Sequence, residues 1–316
     1  MLRRAVIDVG TNSVKLLLAD VSAHEIKPVT EASRQTRLGR GFYESHRLQP
    51  DSIASTARAV AKFADDARAQ GAESVRVIAT SAARDAVNAG DLILSVQQTS
   101  GLLLEIISGE QEAEWAFQGV TTDPEFQRDP LLLLDVGGGS TEFILGCKPH
   151  KHFQASYPLG TVRLLERLPH SDPPKSEDLR ACSESIREFL SNIVRPQLEP
   201  ALRREIESRG SKGAVQLVGT GGTTTIMAMM EGQLVAFDRD KIDGVRLSLE
   251  SVRKHLTRLW SLPLATRQEI VGLPKNRADV ILTGVAIYEA VMAVFGFAEL
   301  RISTRGLRYA AVMNQK

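Results

Sequence analysis

Cysteine is scarce in this sequence, and its scarcity excludes two kinds of site. The two cysteines, Cys147 and Cys182, form no Cys-x-x-Cys motif and have no histidines spaced around them as zinc ligands. We therefore expect neither a disulfide framework nor a zinc centre. Both thiols are expected to be reduced and structural, as in a cytoplasmic protein.

Long apolar runs and an excess of charge are also missing. No run approaches the roughly 20 apolar residues of a membrane helix, and residues 1–8 enter the first predicted strand without a signal-peptide core. With 39 basic and 38 acidic residues, the formal net charge is +1. We therefore expect no membrane and no nucleic acid partner. The balanced net charge is nevertheless compatible with a local basic channel for a polyanion.

The most informative stretch is LLLLDVGGGSTEFIL at residues 131–145. An apolar run leads to Asp135, three glycines and Ser140, and a second apolar run follows. This pattern predicts a strand, a tight turn and an antiparallel return strand. Because glycines have no Cβ, their N–H groups can approach an anion, and Asp135 is placed to hold a divalent cation. The alternative is an ordinary turn with a capping aspartate.

The same layout occurs near the start of the chain, in residues 5–18. The two stretches share three residue types at a constant offset of 127 positions: Asp8 and Asp135, Gly10 and Gly137, Ser13 and Ser140. A repeated turn of this kind predicts two domains of related design that face each other. The length of 316 residues suffices for both. The hairpins would then form the walls of one phosphate-binding cleft.

These hairpins resemble the superfamily of acetate and sugar kinases, heat-shock ATPases and actin. Within it the chain is similar to the exopolyphosphatase/guanosine pentaphosphatase (Ppx/GppA) family in four further stretches: ISGEQEA at 107–113, ATSAARDA at 79–86, TRLGRG at 36–41 and GTGGT at 219–223. The resemblance implies an α/β fold of two actin-like, ribonuclease H-like domains with an interdomain phosphate-binding cleft. We expect residues 1–123 and the C-terminal helix 303–316 in the first domain, and residues 124–302 in the second.

Apolar spacing predicts the other elements along the chain. Helices are expected at residues 50–70, 82–88, 176–193, 200–207, 249–259, 277–295 and 307–313, and strands at 25–30, 74–79, 102–107, 215–218 and 299–303. Ser108 and Gln111 fit a capping box, so a helix with Glu112 is expected to begin there. His150 and His152 lie in a basic turn, for which we expect a solvated loop rather than a metal site.

Phosphoryl transfer requires an anion cradle, cations for the developing charge and a group that aligns the attacking oxygen. For the cradle we expect three glycine turns: Gly10, Thr11, Asn12 and Ser13; Gly137, Gly138, Gly139 and Ser140; and Gly219, Thr220, Gly221, Gly222 and Thr223. The carboxylates expected at a metal are Asp135, Glu142 and Asp8. Magnesium, or another divalent cation, is the expected metal because it prefers oxygen ligands and bridges phosphate oxygens.

The resemblance also implies a catalytic base. In the family, the second glutamate of the Ser-Gly-x-x-Glu-Ala motif activates a water molecule, and that position is Glu112. The helix dipole alone would also favour an acid there. Arg84 matches the arginine of the Thr-Ser-Ala-x-Arg motif and is expected to bind phosphate, with a surface pair to Asp85 or Glu105 as the alternative. Arg37 is expected to reach the outer end of a chain of phosphates.

The sequence departs from the family pattern in three places. Gln111 replaces an acid that is often found in the motif. Tyr309 stands where a glutamate is usual in the closing motif, STRGLRY at 303–309, which changes the contacts expected from the last helix. The sequence also ends without the helical C-terminal extension of longer members, so we expect no grip on long polymers from such an extension.

Together these features predict a magnesium-dependent hydrolase of terminal phosphoanhydride bonds. Inorganic polyphosphate is the first expected substrate, and guanosine pentaphosphate is the alternative. Two rivals remain, an ATP-dependent small-molecule kinase and a non-catalytic polyphosphate or nucleotide sensor. The motif at residues 108–113 argues against the kinase, and an anionic base beside an anion site argues against the sensor. The sequence leaves the assembly open, a homodimer included.

Overall fold

Two mixed β-sheets organise the chain, one in each of two units. The structure, a computed structural model, describes residues 1–22, 25–209 and 215–315. The first unit contains Met1–Gly119 and Gly306–Lys316, and the second contains Val120–Arg305. Each unit contains a β-sheet and several helices, so the predicted α/β class is confirmed.

The first sheet contains five strands. Their bounds are β1 Leu2–Val9, β2 Ser13–Val21, β3 Ile26–Gln35, β4 Ser74–Ala79 and β5 Leu104–Ile106. They lie in the order β3, β2, β1, β4, β5. The first three form an antiparallel meander, whereas β4 and β5 run parallel to β1. The carboxyl ends of β1, β4 and β5 therefore lie at one edge of the sheet.

Helices cover both faces of this sheet. Their bounds are α1 Phe42–Ser45, α2 Pro50–Ala69, α3 Ser81–Arg84, α4 Ala89–Ser100, α5 Gly109–Val120 and, last in the chain, α14 Leu307–Met313. Ile7 packs on one face with the apolar residues of α2 and α4. Val6 packs on the other face with Trp115 of α5 and Tyr309 of α14. Because successive side chains of a strand alternate between faces, Asp8 lies on the face of α5 and α14.

The second sheet repeats this design with one strand more. Its bounds are β6 Leu131–Val136, β7 Thr141–Cys147, β8 His150–Tyr157, β9 Gln216–Thr220, β10 Arg246–Ser248 and β11 Glu299–Ile302. The strand order is β10, β11, β9, β6, β7, β8. As in the first sheet, β6 to β8 form an antiparallel meander and two strands, β9 and β11, continue the sheet in parallel.

Eight helices are described in the second unit. Their bounds are α6 Thr161–Arg167, α7 Ser176–Phe189, α8 Arg195–Arg209, α9 Gly222–Glu231, α10 Arg239–Ile242, α11 Leu249–Trp260, α12 Leu264–Arg267 and α13 Ile281–Phe295. Residues 281–292 of α13 are buried on every side, which matches a helix that is apolar all round. Within the described residues, no helix has the length and apolar character needed to cross a membrane.

The predicted pair of hairpins is confirmed, down to the turn geometry. In each, the N–H of the first turn glycine donates to the serine carbonyl, from Gly10 to Ser13 at 3.0 Å and from Gly137 to Ser140 at 2.9 Å. The register of the two strands is also the same in both hairpins. Asp8 pairs with Lys15 in the first, and Asp135 pairs with Glu142 at the equivalent positions of the second. The sequence repeat therefore corresponds to a structural repeat.

The helix predicted at residues 82–88 is wrong. The chain forms only the short α3 there, and it begins α4, which the prediction missed, at Ala89. The side-chain amide of Asn88 donates to the Leu48 carbonyl at 3.1 Å and accepts from the Leu48 N–H at 2.8 Å. This tertiary contact fixes the backbone at a point where local propensity favours a continuous helix.

The helices predicted at 176–193 and 200–207 form one continuous helical run. Between α7 and α8 a wider π-helical segment covers Leu190–Val194, and α8 continues through Pro200. Pro196 has no N–H to donate to the preceding turn, and the π segment just before it accommodates this loss. Proline therefore modifies the helix here without ending it.

The solvated loop predicted around His150 and His152 is wrong as well. Both residues belong to β8, which pairs with β7 with one register irregularity at His152. Nδ1 of His152 contacts the carboxylate of Glu205, which is buried in α8. Because a strand at the edge of a sheet tolerates polar residues, the polar residues of β8 were mistaken for a loop.

Candidate active site

Three parallel strands of the first sheet bring the candidate residues of this unit to one edge. The N–H of Thr80, after β4, donates to the Val9 carbonyl at 3.2 Å, and the N–H of Ile107, after β5, donates to the Ala79 carbonyl at 3.0 Å. Ligands of such sheets bind outside the carboxyl ends of the parallel strands. The first glycine turn, α3 and the start of α5 all lie at this edge.

The first glycine turn is fixed by the loop that follows β3. The Gly39 N–H donates to the Thr11 carbonyl at 2.7 Å, and the Arg37 N–H donates to the Asn12 carbonyl at 3.0 Å. In a trans peptide, the carbonyl and the following N–H point in opposite directions. The N–H groups of Asn12 and Ser13 therefore point away from this loop, toward the inside of the turn.

The second glycine turn is fixed in the same way by the start of α6. The Gly138 carbonyl accepts from the N–H groups of Val162 at 2.8 Å and Arg163 at 3.1 Å. The Gly139 carbonyl accepts from Arg163 Nε at 2.8 Å. The N–H groups of Gly139 and Ser140 consequently point away from α6, and they donate to no other described residue. Adjacent N–H groups directed to one side form a concavity suited to an anion.

The third glycine turn joins β9 to α9 and borders two charged groups. Gly221 has a φ of +93°, and a Cβ added there would lie 2.7 Å from Asp135 Oδ1. A Cβ on Gly222 would lie 2.6 Å from Arg277 Nη2. Burial lowers the pKa of Arg277, and the charge of Asp279 partly offsets this. The guanidinium of Arg277 lies beside the N-terminus of α9, where an anion would be bound.

The two hairpins differ in the residue that lies opposite the aspartate. Asp135 pairs in register with Glu142, whereas Asp8 pairs with Lys15. Glu142 is only 1% exposed, and its Oε1 accepts a hydrogen bond from Ser156 Oγ at 2.7 Å. Two carboxylates on one face of the second hairpin are ligands that a divalent cation prefers. Among the described residues, no cluster of three or more His, Cys, Asp or Glu side chains is arranged as a metal site.

Asp8 is a buried carboxylate with an unsatisfied atom. It is 4% exposed, and its Oδ1 has no hydrogen-bond partner among the described residues. Burial raises the pKa of Asp8, although Lys15 and Arg308 act in the opposite direction. Asn12 Nδ2 and Ser81 Oγ are also buried without a described partner. Such groups in a native site are explained by a water molecule, an ion or a ligand.

Glu112 lies in the first turn of α5 and is 6% exposed. Arg84 Nη1 donates to Glu112 Oε2 at 3.0 Å and to the Ile107 carbonyl at 3.1 Å. The predicted cap of α5 is present, because Ser108 Oγ accepts from the Gln111 N–H at 3.1 Å. The carboxylate is therefore held in a fixed orientation at the strand edge.

The shortest ion pair of Arg84 is with Glu112, and not with Asp85 or Glu105, the two acids of the surface alternative. Its Nε lies 4.0 Å from Asp85 Oδ1, a longer contact than the 3.0 Å to Glu112. Glu105 pairs instead with Arg76 at 2.7 Å. The pair of Arg84 and Glu112 could not be predicted from residue pattern, because the two residues come together only through the packing of β4 beside β5.

Two further arginines near the glycine turns were not predicted. Arg163 binds the Gly139 carbonyl, and Arg277 borders the third turn. Both lie in segments without a recognisable motif, Arg163 in α6 and Arg277 in the short 3₁₀ helix Lys275–Arg277 that follows Pro274. Their positions depend on tertiary packing, so residue pattern alone could not have identified them.

Comparison with known proteins places the chain in a family. A model of the Ppx/GppA phosphatase family matches residues 17–315. Exopolyphosphatase 2 of Mycobacterium tuberculosis is 35% identical over 298 residues, which are 91% of this chain and 89% of that protein.

Solved structures give the same result for the fold. The Aquifex aeolicus Ppx/GppA family member matches with a TM-score of 0.78 and 28% identity over 100% of this chain and 99% of that one. An exopolyphosphatase from Cytophaga hutchinsonii matches with a TM-score of 0.84 and 25% identity over 98% and 96%. The predicted actin-like fold is thereby confirmed. The chain belongs to the Ppx/GppA phosphatase family.

Proposed function

We propose that this protein is an exopolyphosphatase, which hydrolyses the terminal phosphoanhydride bond of inorganic polyphosphate and releases orthophosphate. Membership of a phosphatase family and the similarity to Exopolyphosphatase 2 support the reaction class. The observation that carries the proposal is the buried Glu112 carboxylate, fixed by Arg84 at the edge where the first glycine turn also lies.

In the proposed mechanism, Glu112 accepts a proton from a water molecule as the water oxygen attacks the terminal phosphorus. The bond from that phosphorus to the bridging oxygen breaks, and the bridging oxygen leaves with the shortened chain. The N–H groups of the glycine turns stabilise the negative charge that develops on the phosphate oxygens. A positioned base of this kind contributes about 10²–10⁴ in rate.

The residues present fit a divalent cation such as Mg²⁺. Asp135 and Glu142 face each other across the second hairpin, with carboxylate oxygens on one face of it. These two carboxylates would hold Mg²⁺, which prefers oxygen ligands. When bound, the cation would neutralise charge on the phosphate groups. Guanosine pentaphosphate contains the same type of bond, so the assay includes it.

A product assay tests the proposal. Purified protein is incubated with Mg²⁺ and polyphosphate, guanosine pentaphosphate or ATP, without any phosphate acceptor. We expect orthophosphate release, fastest from polyphosphate. Faster release from guanosine pentaphosphate would transfer the proposal to that substrate. No release without an added acceptor would contradict a hydrolase and favour a kinase or a sensor.

A further inference from the structure

A basic segment follows the first glycine turn. We call residues 34–47 the strap. It contains one acid, Glu44, and four arginines, so its formal charge is +3, compared with +1 for the whole chain. All four arginines are exposed: Arg34, Arg37, Arg40 and Arg47. The near-neutral total therefore conceals a concentrated positive patch.

The positive charge of the strap is largely uncompensated. Arg34, Arg40 and Arg47 form no side-chain hydrogen bond or ion pair with any residue that the structure describes. Several other arginines of the same unit have acidic partners, such as Arg3 with Asp20 and Arg76 with Glu105. An arginine without a carboxylate nearby is available to an external anion, and its planar group suits phosphate.

The strap is held rigidly at its far end as well as at the glycine turn. The Val87 N–H donates to the His46 carbonyl at 3.0 Å, and Asn88 bonds both backbone groups of Leu48. Phe42 is fully buried in the middle of the strap, and its ring contacts that of His46 edge-on at 5.5 Å. The arginines thus project from an ordered support, which lowers the entropy cost of binding.

Two strap residues have a left-handed backbone that is uncommon for their type. φ is +51° at Arg37 and +54° at His46. Such conformations persist only where the surroundings impose them, and here hydrogen bonds to the glycine turn and to Val87 do so. The strained geometry bends the strap so that it starts at the turn and stays at the same edge of the sheet.

We propose that the strap binds the phosphates of a polyphosphate chain beyond those held at the first glycine turn, so that the enzyme favours long chains. This inference rests on the proposed function. The Arg37 N–H bonds the Asn12 carbonyl of the turn that would bind the chain end, and from there the strap continues along the same edge of the sheet to its contact with Val87. The additional phosphates of a long chain would bring negative charge to these arginines, whereas tripolyphosphate has few phosphates beyond those at the turn.

The test compares two triple variants that remove the same charge. R34Q/R40Q/R47Q removes three strap arginines, and R58Q/R128Q/R180Q removes three exposed arginines outside it. KM and kcat are measured on long-chain polyphosphate and on tripolyphosphate at several salt concentrations. For the strap variant we expect KM on long chains to rise about 10-fold or more, a smaller rise on tripolyphosphate, and a weaker salt dependence. The control variant should match the wild type.

Equal KM values for the strap variant and the wild type on long chains would overturn the inference. So would an equal loss on both substrates, or the same loss in the control variant. Binding of long-chain polyphosphate without Mg²⁺, followed by fluorescence competition, separates this inference from the proposed function. If the wild type binds long chains more tightly than the strap variant but hydrolyses none, the strap stands and the proposed function fails.

Discussion

The pair of Arg84 and Glu112 joins a motif of α3 to a motif of α5. One carboxylate oxygen accepts from a guanidinium that is also anchored on the Ile107 carbonyl. Removing the guanidinium leaves a carboxylate that is only 6% exposed without its main charged partner. Arg84 is therefore a positioning residue for Glu112, in addition to its proposed contact with phosphate.

We expect Arg84→Ala to lower the free energy of unfolding by about 1–3 kcal/mol, because a buried carboxylate loses its charged donor. We also expect kcat to fall more than 10-fold, and Arg84→Lys to restore part of it. Urea unfolding and phosphate release measure the two effects. Arg76→Ala is the matched control, since its partner Glu105 is half exposed and the pair contributes less than about 1 kcal/mol. Equal losses in both alanine variants would contradict the role of Arg84.

Asp8 gives a prediction that depends on pH. Because its pKa is raised in the folded state, chiefly by burial, folding favours its protonated form. Its contribution to stability is complete below the unfolded pKa of about 4, and it is lost as the pH rises through the raised folded pKa. As the pH rises without Mg²⁺, ionisation of this buried carboxylate costs stability.

We therefore expect Asp8→Asn to be more stable than the wild type at pH 7 in chelator, by about 1 kcal/mol, and to lose this advantage at acid pH. Its activity should nevertheless fall, since the unpartnered Oδ1 is proposed to serve the site. Urea unfolding at both pH values provides the measurement. Destabilisation at pH 7 would show that Lys15 and Arg308 compensate the charge fully.

At the level of helices and strands, the two hairpins have the same turn geometry, but different segments hold each turn in place. A loop after β3 fixes the first turn, and the N-terminus of α6 fixes the second. The second support requires close approach, because a Cβ on Gly160 would lie 2.5 Å from the Gly138 carbonyl oxygen. Backbone atoms cannot yield as a flexible side chain does, so the turn itself would have to move.

We expect Gly160→Ala to displace the second turn and reduce kcat/KM for polyphosphate at least 10-fold, with a loss of stability of about 1–3 kcal/mol. Gly90→Ala is the matched control. Gly90 lies in α4 with nothing within 4 Å of an added Cβ, so alanine should stabilise the helix by about 0.5–1 kcal/mol. Thermal unfolding and kinetics measure both variants. Wild-type kinetics in Gly160→Ala would contradict the importance of this contact.

Elements with strong local signals could be predicted from the sequence. The β4 and α14 bounds agree with the predictions, and both hairpins were recognised from their apolar runs and glycines. The misses have a common cause, because α4, α6 and β8 are defined by tertiary contacts. Asn88 precedes α4 and binds Leu48, and the polar residues of β8 are ordered by pairing with β7.

The site could be predicted only as a set of segments. Motif and repeat identified the glycine turns, Glu112 and Arg84, and the assignment of roles to them stays a prediction. The contact between Arg84 and Glu112 and the position of Arg277 could not be predicted, because no local pattern encodes a contact between distant residues.

In the whole molecule, the strand arrangement is duplicated, but the charges opposite the two hairpin aspartates differ. Both units repeat one strand arrangement, but the first hairpin sets Lys15 opposite Asp8 and the second sets Glu142 opposite Asp135. The first hairpin thus sets a cation opposite its aspartate, whereas the second sets another carboxylate there, and two carboxylates are the ligands that a divalent cation prefers. The proposed metal requirement follows from this asymmetry.

We expect activity to be lost in excess EDTA and restored by Mg²⁺. Asp135→Asn should raise the Mg²⁺ concentration for half-maximal activity about 10-fold or more, since one ligand loses its charge. Asp129→Asn, a change outside the glycine turns, is the control. A titration of phosphate release against Mg²⁺ measures the shift. An unchanged Mg²⁺ requirement in Asp135→Asn would mean that the cation is held elsewhere.

Glu112 is proposed to activate the attacking water, and a comparison of two neighbouring glutamates tests this role. Glu110 is exposed in the same turn of α5, so Glu110→Gln controls for the loss of one charge. Phosphate release from polyphosphate is measured at saturating substrate and Mg²⁺. We predict that Glu112→Gln lowers kcat about 10²-fold or more while Glu110→Gln changes it less than about 3-fold. Wild-type activity in Glu112→Gln would contradict the account.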